Sequence, residues 1–184
     1  MIIGQIPDKT ELILKELKKI KKNDTKYIIK LSPNVTDITE FVKIAINQEI
    51  DAISAINTIQ ALEIDPYLEM PVLANYFGGQ SGPSIRCIAQ RKIADIILYL
   101  RKINRLDVPV IGVGGIQNAE DVMRYLLLDV ACVQIGSGIS YYEHPKACFS
   151  TICNNLKKIM YRQGYNKISE FKGKVIKIIE DRYK

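Results

Sequence analysis

Val108-Pro-Val-Ile-Gly-Val-Gly-Gly-Ile-Gln117 is a β-branched apolar run that stops at paired glycines. After one helix-length of chain, Val130-Ala-Cys-Val-Gln-Ile-Gly-Ser-Gly138 repeats the pattern. Short apolar runs without polar alternation read as strands buried on both faces of a parallel sheet. Each run ends at a turn, Gly114-Gly115 or Gly136-Ser137, where bare backbone N–H groups can gather around a phosphate. One glycine turn after a strand is weak evidence, because any tight βα turn favours glycine. Two neighbouring turns of this kind suit a phosphorylated cofactor lying across the strand ends.

Outward from this stretch, Tyr27-Ile-Ile-Lys-Leu31 reads as a strand closed by Ser32-Pro33-Asn34, and Asp51–Ile56 as a second one ending at Asn57-Thr58. Helical periodicity fills the intervals. Leu12, Leu14, Leu17 and Ile20 recur over residues 11–22, with Thr10 or Asp8 as cap. Ile38, Phe41, Val42, Ala45 and Ile46 recur over 37–48, and Ile88, Ile93, Ile96, Ile97 and Leu100 over 84–104. Helices are also expected at 118–128 and 146–162, followed by a short segment at 168–173 and a charged helix. Residues 60–83 carry Pro66, Pro71, Gly78, Gly79 and Gly82 and read as a long loop with a small hairpin around Val72-Leu73-Ala74. Strands alternating with helices give an α/β fold of right-handed parallel βα units. A complete (β/α)8 barrel runs to about 250 residues. The 184 residues here suit a single domain, 1–184, that is part of one.

The chain is 47% hydrophobic, which is enough for a sizeable core. Its formal charge of +6 arises from 26 Lys and Arg against 20 Asp and Glu. The runs at Lys15–Lys22 and Lys172–Lys184 lack the interleaved aromatics of a nucleic-acid module and read as solvated helix faces and a tail. Cys87, Cys132, Cys148 and Cys153 have no metal-ligand spacing and read as reduced, buried thiols, so no metal is expected. Met1–Thr10 has no leader pattern, and no stretch approaches the roughly 18 apolar residues of a membrane span. The expectation is a cytoplasmic protein that binds neither membrane nor nucleic acid.

In parallel α/β folds the chemistry gathers at the C-terminal strand ends. Lys30, flanked by apolar residues, either reaches solvent or faces an anion or electron-rich ring. Asn57 reads as a turn former or as a ligand contact. His144, the single histidine, precedes Pro145 at a helix entry and reads as a surface residue. Asp37, Asp51, Asp65 and Asp121 read as caps and turn residues with no reason to converge. These residues describe a cofactor platform without a catalytic base.

Lys30-Leu-Ser-Pro-Asn-Val-Thr-Asp-Ile38, Ile56-Asn-Thr58, Gly78-Gly-Gln-Ser-Gly-Pro83 and Gly112-Val-Gly-Gly-Ile-Gln-Asn-Ala-Glu-Asp121 follow in order, with Gln134-Ile-Gly-Ser-Gly138 and Ile168-Ser-Glu-Phe-Lys-Gly173 after them. Together they resemble the class 1 dihydroorotate dehydrogenases, above all the catalytic subunit of the NAD-linked, heteromeric type. The resemblance implies a (β/α)8 barrel that binds FMN at its C-terminal mouth and oxidises dihydroorotate to orotate in pyrimidine synthesis. In that chemistry a base takes a proton from one ring carbon while a hydride passes from its neighbour to the flavin.

It implies further that Lys30 contacts the flavin ring and that Ile56 and Gly82 lie against the cofactor. Gly114, Gly115, Gly136 and Ser137 would hold its phosphate, and Asn57 and Thr58 the substrate pyrimidine. Many members carry threonine where Ser137 stands, and the hydroxyl is retained. The family's base, a cysteine or serine, lies on a loop well before the Lys30 strand, whereas only 29 residues precede Lys30 here. The resemblance therefore covers the second half of the barrel, with no catalytic residue identified. It implies a missing N-terminal half-barrel or a homo-oligomer, and a separate iron–sulfur flavoprotein subunit as electron-transfer partner. Two other readings stay open: a non-catalytic half-barrel holding FMN or another phosphorylated ligand, and a flavin domain like that of dihydropyrimidine dehydrogenases.

Overall fold

The apolar periodicities fold as a ladder of βα units. The computed structural model describes residues 3–22 and 24–182. Met1 and Ile2 of the N-terminal stretch, Asn23, and Tyr183 and Lys184 of the basic C-terminal run lie outside the described residues. In chain order the elements are α1 (Pro7–Ile20), β1 (Ile28–Leu31), α2 (Ile38–Asn47), β2 (Ala52–Ala55), β3 (Ile59–Ala61), β4 (Ile64–Asp65), β5 (Met70–Pro71), β6 (Gly78–Gln80), α3 (Arg86–Lys102), β7 (Val110–Val113), α4 (Ala119–Leu126), β8 (Cys132–Gln134), α5 (Pro145–Arg162) and α6 (Lys174–Arg182). Short 3₁₀ turns precede α1, α3, α5 and α6.

The main sheet is parallel, in the order β1-β2-β7-β8. Its register sets Lys30 beside Ser54, Ser54 beside Ile111, and Ile111 beside Cys132. Side chains alternate across a strand, so one face carries Ile29, Leu31, Ile53, Ala55, Val110 and Val133 into the helices' core. The other face carries Ile28, Lys30, Ala52, Ser54, Ile111, Val113, Cys132 and Gln134, and no helix covers it among the described residues. A second small cluster of Leu14, Ala45 and Ile50 holds α1 on α2. The fold is α/β, and its four consecutive parallel strands have the arrangement of half a (β/α)8 barrel.

Several expectations change at the edges of the sheet. β7 is buried as its sequence implies, but β8 exposes Cys132 and Gln134, because among the described residues no further strand pairs beyond it. α1 begins at Pro7 behind Ile6, without a side-chain cap, since proline's fixed φ suits the first helical position. Thr10 lies inside that helix, its hydroxyl donating to the Ile3 carbonyl at 3.3 Å. Of the expected apolar stripe only Leu14 is buried, while Leu12, Leu17 and Ile20 face outward. Residues 59–80 form nested antiparallel pairs, β3 with β6 and β4 with β5. The inner turn is shaped by Asp65, which accepts the Tyr67 and Leu68 N–H groups, so Val72-Leu73-Ala74 falls in bends after β5. Up to Arg182 the C-terminal run packs on the fold as α6. Phe171 and Ile176 are buried, and Arg101 of α3 bridges to Glu180 and Asp129.

Among the described residues two sheet edges are unpaired and the inner face is uncovered, which favours association. Light scattering over a concentration series is expected to give masses above the 20.9 kDa of one chain. A 20.9 kDa species with a cooperative melt at every concentration contradicts this.

Candidate functional site

The four parallel strands end on one side of the sheet, and a cleft of 220 Å³ opens there. Lys30, Ile56, Asn57, Thr58, Gly82, Gly114, Gly115, Gly136 and Ser137 all line it, so every site residue expected from the sequence meets in one place. A second cleft of 410 Å³ shares Lys30, Asn57 and Thr58 with the first and extends it over Ser32, Asn34 and Gln60.

The turn after β7 is built from beneath. Gly112 leaves room for Tyr125 of α4, since a Cβ there would lie 2.5 Å from the ring. The buried Tyr125 hydroxyl donates to the Gly114 carbonyl and fixes the turn. Burial pushes this phenol's pKa well up, with the Asp121 charge adding to the effect. Gly114 and Gly115 have φ of 138° and 66°, a region that costs little only for glycine. A Cβ on Gly115 would also meet the Gly82 carbonyl at 2.8 Å, so the β7 turn and the Gly82 loop approach backbone to backbone.

Asp121 does more than cap a helix. Fully buried, it accepts the Gln117 N–H at 3.0 Å and bridges to Arg86 at 2.9 Å and Arg124 at 2.7 Å. Asn118 caps α4 by accepting the Asp121 N–H. Every obligation of the buried carboxylate is met, and the start of α3 is tied to the start of α4.

The turn after β8 is fastened to the first. The Tyr142 hydroxyl donates to the Gln117 carbonyl at 2.8 Å, and a Cβ on Gly138 would lie 2.1 Å from the Ile116 carbonyl oxygen. Gly136 opens a 3₁₀ turn over Ser137–Tyr141, the kind of short helical N-terminus that holds phosphate in barrel enzymes. The N–H groups of Gly115 and Gly136 have no acceptor among the described residues. A Cβ on Gly136 would meet nothing within 4 Å, whereas one on Gly82 would stand 3.8 Å from the Tyr141 hydroxyl and 3.9 Å from Ser137 Oγ. Open space ringed by unspent donors is what a phosphate needs.

The opposite end is polar in a different way. Lys30 stands on the inner sheet face without an ion-pair partner among the described residues. Asn57 accepts the Thr58 N–H on Oδ1 at 2.9 Å, which leaves its Nδ2 free of any acceptor among the described residues. The peptide bond before Ile56 is cis. Asn34 clamps the neighbouring loops by donating to the Thr58 carbonyl at 3.0 Å and accepting the Gln60 N–H at 2.9 Å.

Sequence reading missed Ser81, Ile85, Ile116 and Gln134, and it placed Asn34 at a strand end without its clamp; all five line one of the two clefts. Asn34 reads as a plain turn residue, and its clamp spans 24 residues. Gln134 was visible as the polar residue between Val133 and Ile135 at the end of β8. The cysteines depart from expectation, for only Cys148 is buried, and Cys132 is exposed because it faces the uncovered side of an edge strand. His144 is exposed at the start of α5.

The fold and site define a parallel α/β protein with a glycine-lined cleft at its strand ends. The dihydroorotate dehydrogenase family model matches residues 2–160, and the chain belongs to that family. It is 36% identical over 176 residues to the dihydroorotate dehydrogenase B (NAD(+)) catalytic subunit of Pyrococcus furiosus, covering 96% of this chain and 55% of that protein. Against the same subunit of Methanocaldococcus jannaschii it is 39% identical over 154 residues, 84% of this chain and 47% of the relative. For that of Maridesulfovibrio salexigens the values are 38% over 170 residues, 92% and 52%. The chain spans about half the length of the curated relatives it matches.

Tyr125→Phe leaves the Gly114 carbonyl without its buried donor and is expected to cost about 1–3 kcal/mol in urea unfolding. The phenol ionises less readily folded than unfolded, so its contribution is whole below the ordinary value of 10.0 and is lost as pH rises above it. The urea midpoint should therefore fall more steeply above pH 10.0 in the wild type than in Tyr125→Phe. Parallel pH profiles contradict the assignment.

Proposed function

We propose that this chain supplies the cofactor-binding half of an FMN-dependent dihydroorotate dehydrogenase, which oxidises dihydroorotate to orotate in pyrimidine biosynthesis. The observation that carries the reading is the meeting of nine residues, implied by separate motifs, around one cleft. Gly114, Gly115, Gly136 and Ser137 hold the phosphate of FMN through backbone N–H groups and the Ser137 hydroxyl. Gly82 and Ile56 line the space between that cradle and Lys30, whose ammonium faces the ring end. Asn57, through its free Nδ2, and Thr58 bind the pyrimidine in the adjoining cleft. When bound, FMN supplies the two-electron acceptor that takes a hydride from the substrate carbon. The chain's own residues bind, orient and shield, and the proton acceptor is assigned to none of them.

The remainder of the barrel falls to a complementary half that pairs with the open edges of β1 and β8. Relatives bear the name of the catalytic subunit of an NAD(+) enzyme, which supports a separate iron–sulfur flavoprotein as electron-transfer partner. A cytoplasmic setting agrees with this chemistry, and among the described residues no helix is long and apolar enough to cross a membrane.

Anaerobic addition of dihydroorotate to the FMN-loaded protein, with its complementary half, is expected to bleach the flavin absorbance. Binding of FMN without bleaching favours a non-catalytic platform instead. Lys30→Ala should slow the bleaching at least tenfold while raising the FMN dissociation constant less, because its charge matters most once electrons arrive. Equal bleaching rates in variant and wild type remove Lys30 from the reaction.

A further inference from the structure

The inner face of the sheet holds one polar contact that the proposed function does not use. Ser54 of β2 is 2% exposed, and its hydroxyl donates to Gln134 Oε1 at 2.9 Å. β2 and β8 are not neighbours, for β7 lies between them. Strands stand about 4.8 Å apart, so the Gln134 side chain must cross the inner face of β7 to reach Ser54. That crossing accounts for Ile111, which faces the uncovered side and is still only 8% exposed.

A glutamine on an exposed edge strand ordinarily extends into water. This one lies across the floor of the cleft, with its carbonyl end tied down. The amide is planar, so fixing Oε1 also fixes Nε2 and its two N–H donors. Those donors meet no acceptor among the described residues. Lys30 stands in the same cross-strand row as Ser54 and lines the same cleft. The floor thus presents an ammonium and an amide, donors without a matching protein acceptor. The ligand edge that fits them is a planar ring bearing carbonyl oxygens or ring nitrogens.

We propose that Gln134 donates through Nε2 to an acceptor on the edge of the cofactor ring, and that Ser54 is the positioning residue that holds the amide in this orientation. The inference rests on the flavin reading above and adds to it a residue and an orientation. Loss of one such hydrogen bond corresponds to roughly tenfold in binding.

The test measures FMN dissociation constants by flavin-fluorescence quenching, and midpoint potentials of the bound flavin, on the purified chain. Gln134→Leu is expected to raise the dissociation constant about tenfold. Gln134→Glu keeps the bond to Ser54 but replaces the donor with a negative charge, and should lower the potential. Ser54→Ala is expected to weaken binding about threefold and lower the potential, and Ser54→Thr, which keeps the hydroxyl, to restore both. A merely structural role for Ser54 would shift the melting temperature and leave the potential of the bound flavin unchanged, which contradicts the proposal. Wild-type affinity and potential in both Gln134 variants overturn it while leaving the flavin reading intact. If the wild type fails to quench FMN fluorescence, both are overturned.

Discussion

A tyrosine hydroxyl buried beneath a glycine turn is the constraint on which the site depends. Tyr125 fits only because Gly112 has no side chain, and its hydroxyl holds the Gly114 carbonyl from below. With that carbonyl turned into the protein, Gly114 and Gly115 take positive φ and Gly115 comes against the Gly82 loop. Asp121 draws in the Gln117 N–H, and Tyr142 takes the Gln117 carbonyl, so the second turn is hung from the first. The cradle is therefore held in place because the buried Tyr125 and Asp121 and the half-buried Tyr142 spend their polar groups on its backbone. The N–H groups of Gly115 and Gly136 are left without an acceptor among the described residues.

The same sheet is well supported on one side and open on the other. Helices α2 to α4 close over Ile53, Val110 and Val133, while Lys30, Cys132 and Gln134 look into space that a second half of a barrel would enclose. The proposed cofactor contacts are thereby separable from barrel closure. The proposed phosphate end is made of the β7 and β8 turns and the Gly82 loop, whereas among the described residues the outer edges of β1 and β8 lack strand partners. Family members about twice as long would provide those partners.

Much of this is legible in the sequence. Strand ends are written in β-branched runs and glycines, and the positions of Lys30, Asn57 and Gly82 at those ends brought them to one cleft. Contacts across long sequence separations were not legible. The Asn34 clamp, the Asp121 arginine pair and the Ser54–Gln134 bond join residues 24, 35 and 80 positions apart, and no local pattern marks such pairings. Burial in β8 and α1 was misjudged for a different reason. Cys132 and Leu17 are apolar in pattern and exposed in fact, because periodicity reports which face is apolar and cannot report whether another element covers it.

The central claim is that the two glycine turns form a phosphate cradle, and calorimetric titration of the chain with FMN and with riboflavin tests it directly. Both ligands carry the same ring, and only FMN carries the phosphate. The account predicts that FMN binds at least a hundredfold more tightly, about 2.7 kcal/mol from the phosphate alone. Equal affinities for the two ligands would contradict it.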